Sequence, residues 1–244
     1  MQKINPIKLS IVIPCYNEEK NIPLLIEKFN EKDVLSRKDI EIILVDNGSV
    51  DNSNKIITNL SKKYKSLKLV TVKKNIGYGF GIISGLKSAN GEYIGWTHAD
   101  LQANPHDVIK AFEIIRKKSN PKHFFIKGRR WGRTFIDQFF TFGMSIIESV
   151  ILRTTMFDIN AQPNLFHRDF LKLMKNPPND FSFDLYAYHT AKKNKMRIIR
   201  FPVFFGKRIH GYSSWNSGLK SKIKLIKRTI SYTSSLKMLL KRSN

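Results

Sequence analysis

Three polar residues on alternate positions, His98-x-Asp100-x-Gln102, form the group in this sequence best suited to hold an ion. In an extended segment such residues face one side. A hard divalent cation that also bridges two phosphates accepts Asp and Gln oxygens, and an imidazole suits Mn²⁺ or a similar ion, with Mg²⁺ as the alternative. Upstream, Asp46-Asn-Gly-Ser-Val-Asp51 places a carboxylate where a strand gives way to a helix. There Asp46 can accept hydrogen bonds from a base N–H, and the helix N-terminus behind it favours phosphate. The same residues suit a turn that caps the helix through Ser49 or Asp51, and both readings can hold together. The glycines Gly77, Gly79, Gly81 and Gly85 depart from the strict G-x-G-x-x-G spacing. Close packing of a helix on a sheet explains them as well as close approach to a ligand.

Residues of this kind must be held by a frame, and the frame is legible. Over the first 127 residues, short β-rich apolar runs alternate with stretches of helical period, the pattern of a mostly parallel sheet with crossover helices. Strands are expected at Lys8–Pro14, Ile40–Asp46, Leu67–Val72, Tyr93–Thr97 and His123–Lys127. Helices are expected at Asn21–Glu31, with Pro23 in the first turn, Asn52–Lys65, Gly79–Ala89 and Pro105–Lys117. A basic loop, Lys127 to Arg133, then leads into an apolar-rich helix from about Phe135 to Leu152. Beyond it come a turn at Phe157–Pro163, a short strand, helices near Arg168–Lys175 and Phe183–Lys193, and a strand at Arg197–Val203. The segment Leu219–Lys241 spaces Leu219, Ile223, Ile226 and Ile230 as a basic amphipathic helix. In open α/β sheets ligands bind beyond the carboxyl ends of strands, and four expected strands end there in polar groups: Pro14 to Glu18, Asp46 to Asp51, Asn75 to Gly79 and His98 to Gln102.

Bulk composition sets the outer bounds. The chain has 244 residues, is 41% hydrophobic and 25% charged, and carries a formal charge of +24. That is a globular composition whose basicity attracts anions: acidic lipid headgroups, phosphorylated substrates or nucleic acid. Enrichment in Lys together with Ile and Asn accounts for part of the charge as general composition. The single cysteine, Cys15, sits in an apolar stretch, which excludes a disulfide framework, fits a cytoplasmic environment and suggests a structural thiol. The longest apolar candidate, Phe139 to Leu152, is interrupted by Glu148, so no membrane-spanning helix is expected, and no signal peptide is read at the N-terminus.

In order along the chain, Val12-Ile-Pro-Cys-Tyr-Asn-Glu18, Val45-Asp-Asn-Gly-Ser-Val-Asp51, Asn75-Ile-Gly-Tyr-Gly79 with Gly85, and Ala99-Asp-Leu-Gln-Ala-Asn-Pro105 resemble the family 2 glycosyltransferases of GT-A fold. The likeness is to the dolichyl-phosphate mannose synthase and bacterial polyprenyl-phosphate glycosyltransferase type. It continues through Lys127-Gly-Arg129, Asp158 to Phe166, Phe183-Asp184 and Arg208-Ile-His-Gly-Tyr-Ser213. The resemblance implies a Rossmann-like, mostly parallel mixed sheet flanked by helices over residues 1–215, with a nucleotide-sugar-binding half (1–127) and an acceptor half (128–215). Residues 216–244 would be an appended amphipathic segment.

By that resemblance Pro14, Tyr16, Asn17, Glu18, Asp46, Asn47, Ser49, Asn75, Gly77, Gly79, Ala99 and Asp100 line the site of a UDP- or GDP-sugar. His98, Asp100 and Gln102 hold its metal. Arg129, Arg133, Arg208 and Ser213 meet phosphates, and Asp100, Arg129, Asp158 and Arg208 form the catalytic set, with Asp158 facing the acceptor. The implied reaction is inverting transfer of a sugar to a polyprenyl phosphate, by a protein peripheral on the inner face of the membrane. An anionic membrane surface is the expected partner, with room for a homo-oligomer or a membrane partner subunit. Two departures stand out: Asn47 and His98 occupy positions where the family usually carries Asp. Three other readings stay open. A soluble acceptor would need Asp158 or Asp184 as base, a binding-only homologue would hold donor without turnover, and nucleic-acid binding ranks last because no known recognition motif is present.

Overall fold

The computed structural model describes residues 6–210 and 219–242. Seven strands share one sheet: β1 (Leu9–Cys15), β2 (Ile40–Asn47), β3 (Leu67–Val72), β4 (Tyr93–Trp96), β5 (Phe124–Trp131), β6 (Asn164–His167) and β7 (Arg197–Phe204), in the order β3-β2-β1-β4-β6-β5-β7. Strands β1 to β4 are parallel, β6 runs antiparallel to both β4 and β5, and β7 is parallel to β5. All strands except β6 therefore end on the same edge. Strand β2 is buried at every position and β1 at nearly every one, which is why both read as near-continuous apolar runs: helices cover the two faces.

The helices in the first half are α1 (Asn21–Asn30), α2 (Ser53–Lys63), α3 (Tyr78–Ser88) and α4 (Asp107–Arg116). Residues of α1, α2 and α4, such as Phe29, Ile57 and Phe112, pack with Ile11 and Ile42 on one face of the sheet. On the other face, Ile82 and Leu86 of α3 pack with Val12, Val45 and Trp96. There the helix sits so close that a Cβ on Gly85 would strike Val12 and lie 2.8 Å from Val45 Cγ2. Gly85→Ala should destabilise the fold by about 1–3 kcal/mol through overpacking, read as a lower urea midpoint. An unchanged midpoint would mean that α3 can lift off the sheet freely.

The second half brings α5 (Phe135–Leu152), α6 (Phe183–Lys193) and α7 (Leu219–Arg242). Two expectations are corrected here. Residues 127–131 are not a basic loop: β5 runs on to Trp131, because β7 pairs alongside it as far as Phe204. The absence of a helix long enough to span a membrane also does not hold. Thr134 caps the chain through the Asp137 N–H and starts α5 at Phe135, giving 18 residues long and apolar enough to cross by length and composition. Little of α5 is buried. Its buried residues are Ser145, Glu148 and Leu152. Phe135, Phe139, Phe142, Ile146 and Val150 are exposed, and their spacing of three to four residues puts them on one stripe. Helix α7 packs against α5, and its Leu236 joins Leu152, Met156, Ile159 and Tyr188 in a small separate core.

Candidate active site

Where the strands end, one continuous cavity of about 850 Å³ opens. Its first wall is Pro14 to Glu18 at the end of β1, Asn47 of β2, Asn75 to Tyr78 at the start of α3, and His98, Ala99, Asp100 and Gln102 after β4. It then runs past Arg130, Arg133, Phe181, Phe205 and Arg208 to Phe140, Thr141, Met144, Ser145 and Glu148 of α5 and to Ile226 and Thr229 of α7. One end is polar and backed by the parallel sheet. The other lies beneath α5, where Phe140, Met144 and Ile226 alternate with Thr141, Ser145, Glu148 and Thr229.

Asp46 does not line this cavity. Its carboxylate accepts hydrogen bonds from the Ser49 N–H at 3.0 Å and the Asn54 side chain at 2.7 Å, so the loop-capping reading describes it. Ser49 is spent similarly, accepting the Asn17 N–H at 3.1 Å. Its neighbour Asn47 faces the cavity instead: Nδ2 donates to the Gly77 carbonyl at 3.0 Å, while Oδ1 is buried with no partner. The glycines serve packing. A Cβ on Gly77, whose φ is +134°, would strike the Asn179 carbonyl oxygen, and one on Gly79 the Pro178 oxygen. Gly77 lines the cavity and Gly79 does not. Cys15 is fully buried, and burial pushes its thiol well up.

After β4 the backbone does not stay extended. Residues 99–103 form successive bends, with Leu101 at φ 57°, so alternate positions no longer share a side. His98, Asp100 and Gln102 all reach the cavity but are drawn to different partners. The Gln102 amide donates to the Gly206 carbonyl at 3.0 Å, the His98 ring stacks on Tyr78 at 5.6 Å, and Asp100 pairs with Arg208 at 3.0 Å. Arg208 also reaches Glu18, at 3.8 Å. Burial pushes the Glu18 carboxyl above its ordinary value, with the Asn21 hydrogen bond and Arg208 opposing. Among the described residues no three His, Cys, Asp or Glu side chains form a metal-binding group, and Gln102, the third expected ligand, spends its amide N–H on Gly206.

The expected arginine and carboxylate of the acceptor half are also reassigned. Arg129 is exposed and off the cavity; alternation along β5 turns Arg130 inward instead. Asp158, 3% exposed, does not line the cavity and grips Arg130, accepting from its backbone N–H at 2.9 Å, its Nε at 2.8 Å and its Nη2. Burial pushes the Asp158 carboxyl up, but Arg130 outweighs it and holds the group below its ordinary value. Asp158 therefore orients Arg130. Arg130 and Arg133 both lie over the Phe205 ring. Ser213 lies outside the described residues.

Glu148, the acidic residue that interrupts the apolar run, faces the cavity at 5% exposure, and burial pushes its carboxyl up to about 8. Between its ordinary 4.5 and about 8 the folded chain keeps a proton that the unfolded chain has lost. Stability is therefore full below that window and declines as pH rises through it. Glu148→Gln should match the parent's urea midpoint near pH 5 and exceed it at pH 8.5. Parallel pH curves would show that Glu148 is hydrated.

Beneath the cavity floor lies a buried polar cluster. Asp184 of α6 accepts from Trp96 Nε1 at 2.9 Å, Asn164 Nδ2 at 3.1 Å and the Tyr78 hydroxyl at 3.1 Å. The fully buried Lys127 donates to Asn164 Oδ1 and the Ala161 carbonyl, both at 2.8 Å. Burial lowers its amine to about 7, with Asp184 opposing. Lys127 and Asp184 could be picked out in the sequence only as members of motifs. Tyr78 likewise appeared only inside a motif, whereas Arg130, Phe181 and Glu148 carried no signal as site residues: a one-residue step in a strand decides the first, the docking of a turn the second and one face of a helix the third.

Residues 10–172 match the model of glycosyl transferase family 2. Among curated proteins, an undecaprenyl-phosphate 4-deoxy-4-formamido-L-arabinose transferase of Yersinia enterocolitica is 38% identical over 111 residues, 45% of this chain and 34% of the relative. Its counterpart in Serratia proteamaculans is 33% identical over 119 residues, 48% of this chain and 36% of the relative. The match thus spans about a third of each relative's length. Glucosyl-3-phosphoglycerate synthase from Mycobacterium tuberculosis, solved with Mn²⁺, UDP and glucosyl-3-phosphoglycerate, superposes with a TM-score of 0.68 at 15% identity, over 94% of this chain and 79% of that one. A mannosyltransferase from Pyrobaculum calidifontis, solved with GDP-Man and Mn²⁺, gives 0.63 at 16% identity, over 97% and 76%. The mixed sheet and its flanking helices are therefore a GT-A fold, and the chain belongs to glycosyl transferase family 2.

Proposed function

We propose that this protein transfers a sugar from a UDP- or GDP-sugar to a polyprenyl phosphate at the surface of a membrane, on its cytoplasmic side. The observation that carries the reading is the continuous cavity joining the polar strand ends to the inner side of α5, a helix whose outer stripe is apolar and exposed. The curated relatives act on undecaprenyl phosphate, and the solved neighbours hold UDP or GDP-Man with Mn²⁺. Because α5 keeps Ser145, Glu148 and Leu152 buried against the body, it suits lying in the interface rather than crossing it.

Pro14 to Glu18 and Asn47 would receive the nucleoside, where the orphaned Asn47 oxygen offers an acceptor to a base or ribose donor group. The residues fit a divalent cation shared with the donor diphosphate. Asp100 supplies a carboxylate and His98 an imidazole nearby, and Mg²⁺ or Mn²⁺ commonly takes its remaining ligands from phosphates and water. When bound, such an ion neutralises the leaving diphosphate. Arg208, already on Asp100, would turn to the same phosphates, while Arg130 and Arg133 would meet the acceptor phosphate. That phosphate, with a second pKa of about 6, is largely dianionic at neutral pH and needs no base. One of its oxygens forms a bond to the anomeric carbon as the bond to the diphosphate oxygen breaks on the opposite face, inverting the centre. A protonated Glu148 leaves no anion in its path. A soluble hydroxyl acceptor is disfavoured, because Asp158 and Asp184, the carboxylates that could serve as its base, are committed to Arg130 and to Trp96, Asn164 and Tyr78.

Incubation with a panel of UDP- and GDP-sugars, Mg²⁺ or Mn²⁺ and a short-chain polyprenyl phosphate should give a glycosyl lipid phosphate from at least one donor, seen by mass spectrometry. Nucleotide binding without turnover on any donor would overturn the reading in favour of a binding-only protein.

A further inference from the structure

His98 replaces a carboxylate usual in the family, and the structure shows what the imidazole joins. Tyr78 opens α3, and its ring stacks with His98 at 5.6 Å on one side and meets Phe181 at 5.2 Å on another. All three rings line the cavity. The arrangement is fixed from behind. The Tyr78 hydroxyl donates to Asp184 at 3.1 Å, and Asp184 is itself held by Trp96 and Asn164. The Phe181 loop is latched to the start of α3, with the Gly79 N–H donating to the Asp180 carbonyl at 3.1 Å and the Phe80 N–H to the Asn179 carbonyl at 2.9 Å. Gly77 and Gly79 permit that approach, since a side chain on either would strike the loop backbone.

The position of these rings along the sheet edge decides what they would touch. On the proposed reading, on which this inference rests, the nucleoside lies over the ends of β1 and β2 and the diphosphate at Asp100 after β4. The next group along the donor is the sugar. The next structure along the edge is the region over β4 and β6, where Trp96 and Asn164 hold Asp184 beneath Tyr78.

We propose that Tyr78, His98 and Phe181 form the wall against which the transferred sugar packs a face of ring C–H groups. Tyr78, anchored to Asp184, is the positioning residue of that wall. Aromatic rings with a few polar groups at the margin are how pockets fix a ligand that is partly apolar. The wall therefore selects donor sugars with an open C–H face, such as deoxygenated ones, over sugars that present axial hydroxyls there.

Calorimetric titration with Mn²⁺ tests this, using a panel of UDP- and GDP-linked hexoses, deoxyhexoses and pentoses, each paired with UDP or GDP alone. The parent protein should bind at least one nucleotide sugar more tightly than its own nucleotide. Phe181→Leu and Tyr78→Leu should reduce that advantage about five- to tenfold while leaving UDP or GDP affinity within about twofold. Tyr78→Phe, which keeps the ring and loses the bond to Asp184, should fall between. Phe181→Leu replaces no partner of Asp184 and decides the matter should Tyr78→Leu fail to fold. The wall is refuted by an unchanged ratio, by equal weakening of nucleotide and nucleotide sugar, or by a parent that binds nucleotide with no sugar advantage across the panel. A parent that binds no nucleotide refutes the proposed function instead.

Discussion

Asp100→Asn should lower kcat/KM for sugar transfer by about 10²–10³, the range seen when one preorganised electrostatic group is lost from a transition-state site. The substitution is nearly isosteric. It keeps an oxygen to accept the Gln102 N–H, now at 3.2 Å, so the bends after β4 should survive. What it removes is the charge that pairs with Arg208 at 3.0 Å and that would hold a cation on the donor diphosphate. Arg208→Ala should also be severe, and the double variant should fall well short of the product of the two losses, because both act on one network. Mn²⁺ affinity in the presence of nucleotide should drop with Asp100→Asn independently of turnover. Unchanged metal dependence and near-parental activity would remove Asp100 from the centre of the site.

That expectation rests on a residue visible in the sequence, and its neighbours show where sequence reasoning stopped. Strands β1 to β4 and the bounds of α5 and α6 were legible because their signals are local: apolar runs covered on both faces, an apolar-rich helical stretch, and polar clusters at strand ends. The reading of His98, Asp100 and Gln102 as one ligand set assumed an extended backbone. The left-handed Leu101 breaks it, and nothing local in Ala99-Asp-Leu-Gln announces that turn. Arg129 and Arg130 differ by one step in a strand, which reverses the face. The choice was fixed by β7, a partner about 70 positions away in sequence. Asp46 shows the same limit in reverse, for the site motif is where the sequence placed it, yet its carboxylate is consumed by Ser49 and Asn54 and Asn47 faces the cavity. Glu148 misled in another way, since a carboxylate in an apolar run argued against a spanning helix, whereas its side chain points inward to the cavity.

The orientation of α5 gives the second large effect. Replacing Phe139, Phe142 and Ile146 together by Ser should cut partitioning onto anionic vesicles by roughly 10³-fold. The three are 66%, 55% and 48% exposed and lie on the stripe that also holds Phe135 and Val150. Burying such side chains in an apolar medium contributes roughly 1.5 kcal/mol or somewhat more each, so three together exceed about 4 kcal/mol, and every 1.4 kcal/mol or so is tenfold. Because the replaced side chains already face solvent, folding stability should hardly move, and a thermal melt checks this. The formal charge of +24 adds a second, salt-sensitive component of attraction to anionic lipid. Raising ionic strength should therefore weaken parent and variant by a similar factor, since the substitutions leave the charge unchanged. Transfer to a long-chain acceptor embedded in vesicles should fall with binding, whereas transfer to a short-chain acceptor in solution should persist, since the cavity side of α5 is untouched. A variant that binds vesicles like the parent would show that the stripe meets something other than lipid.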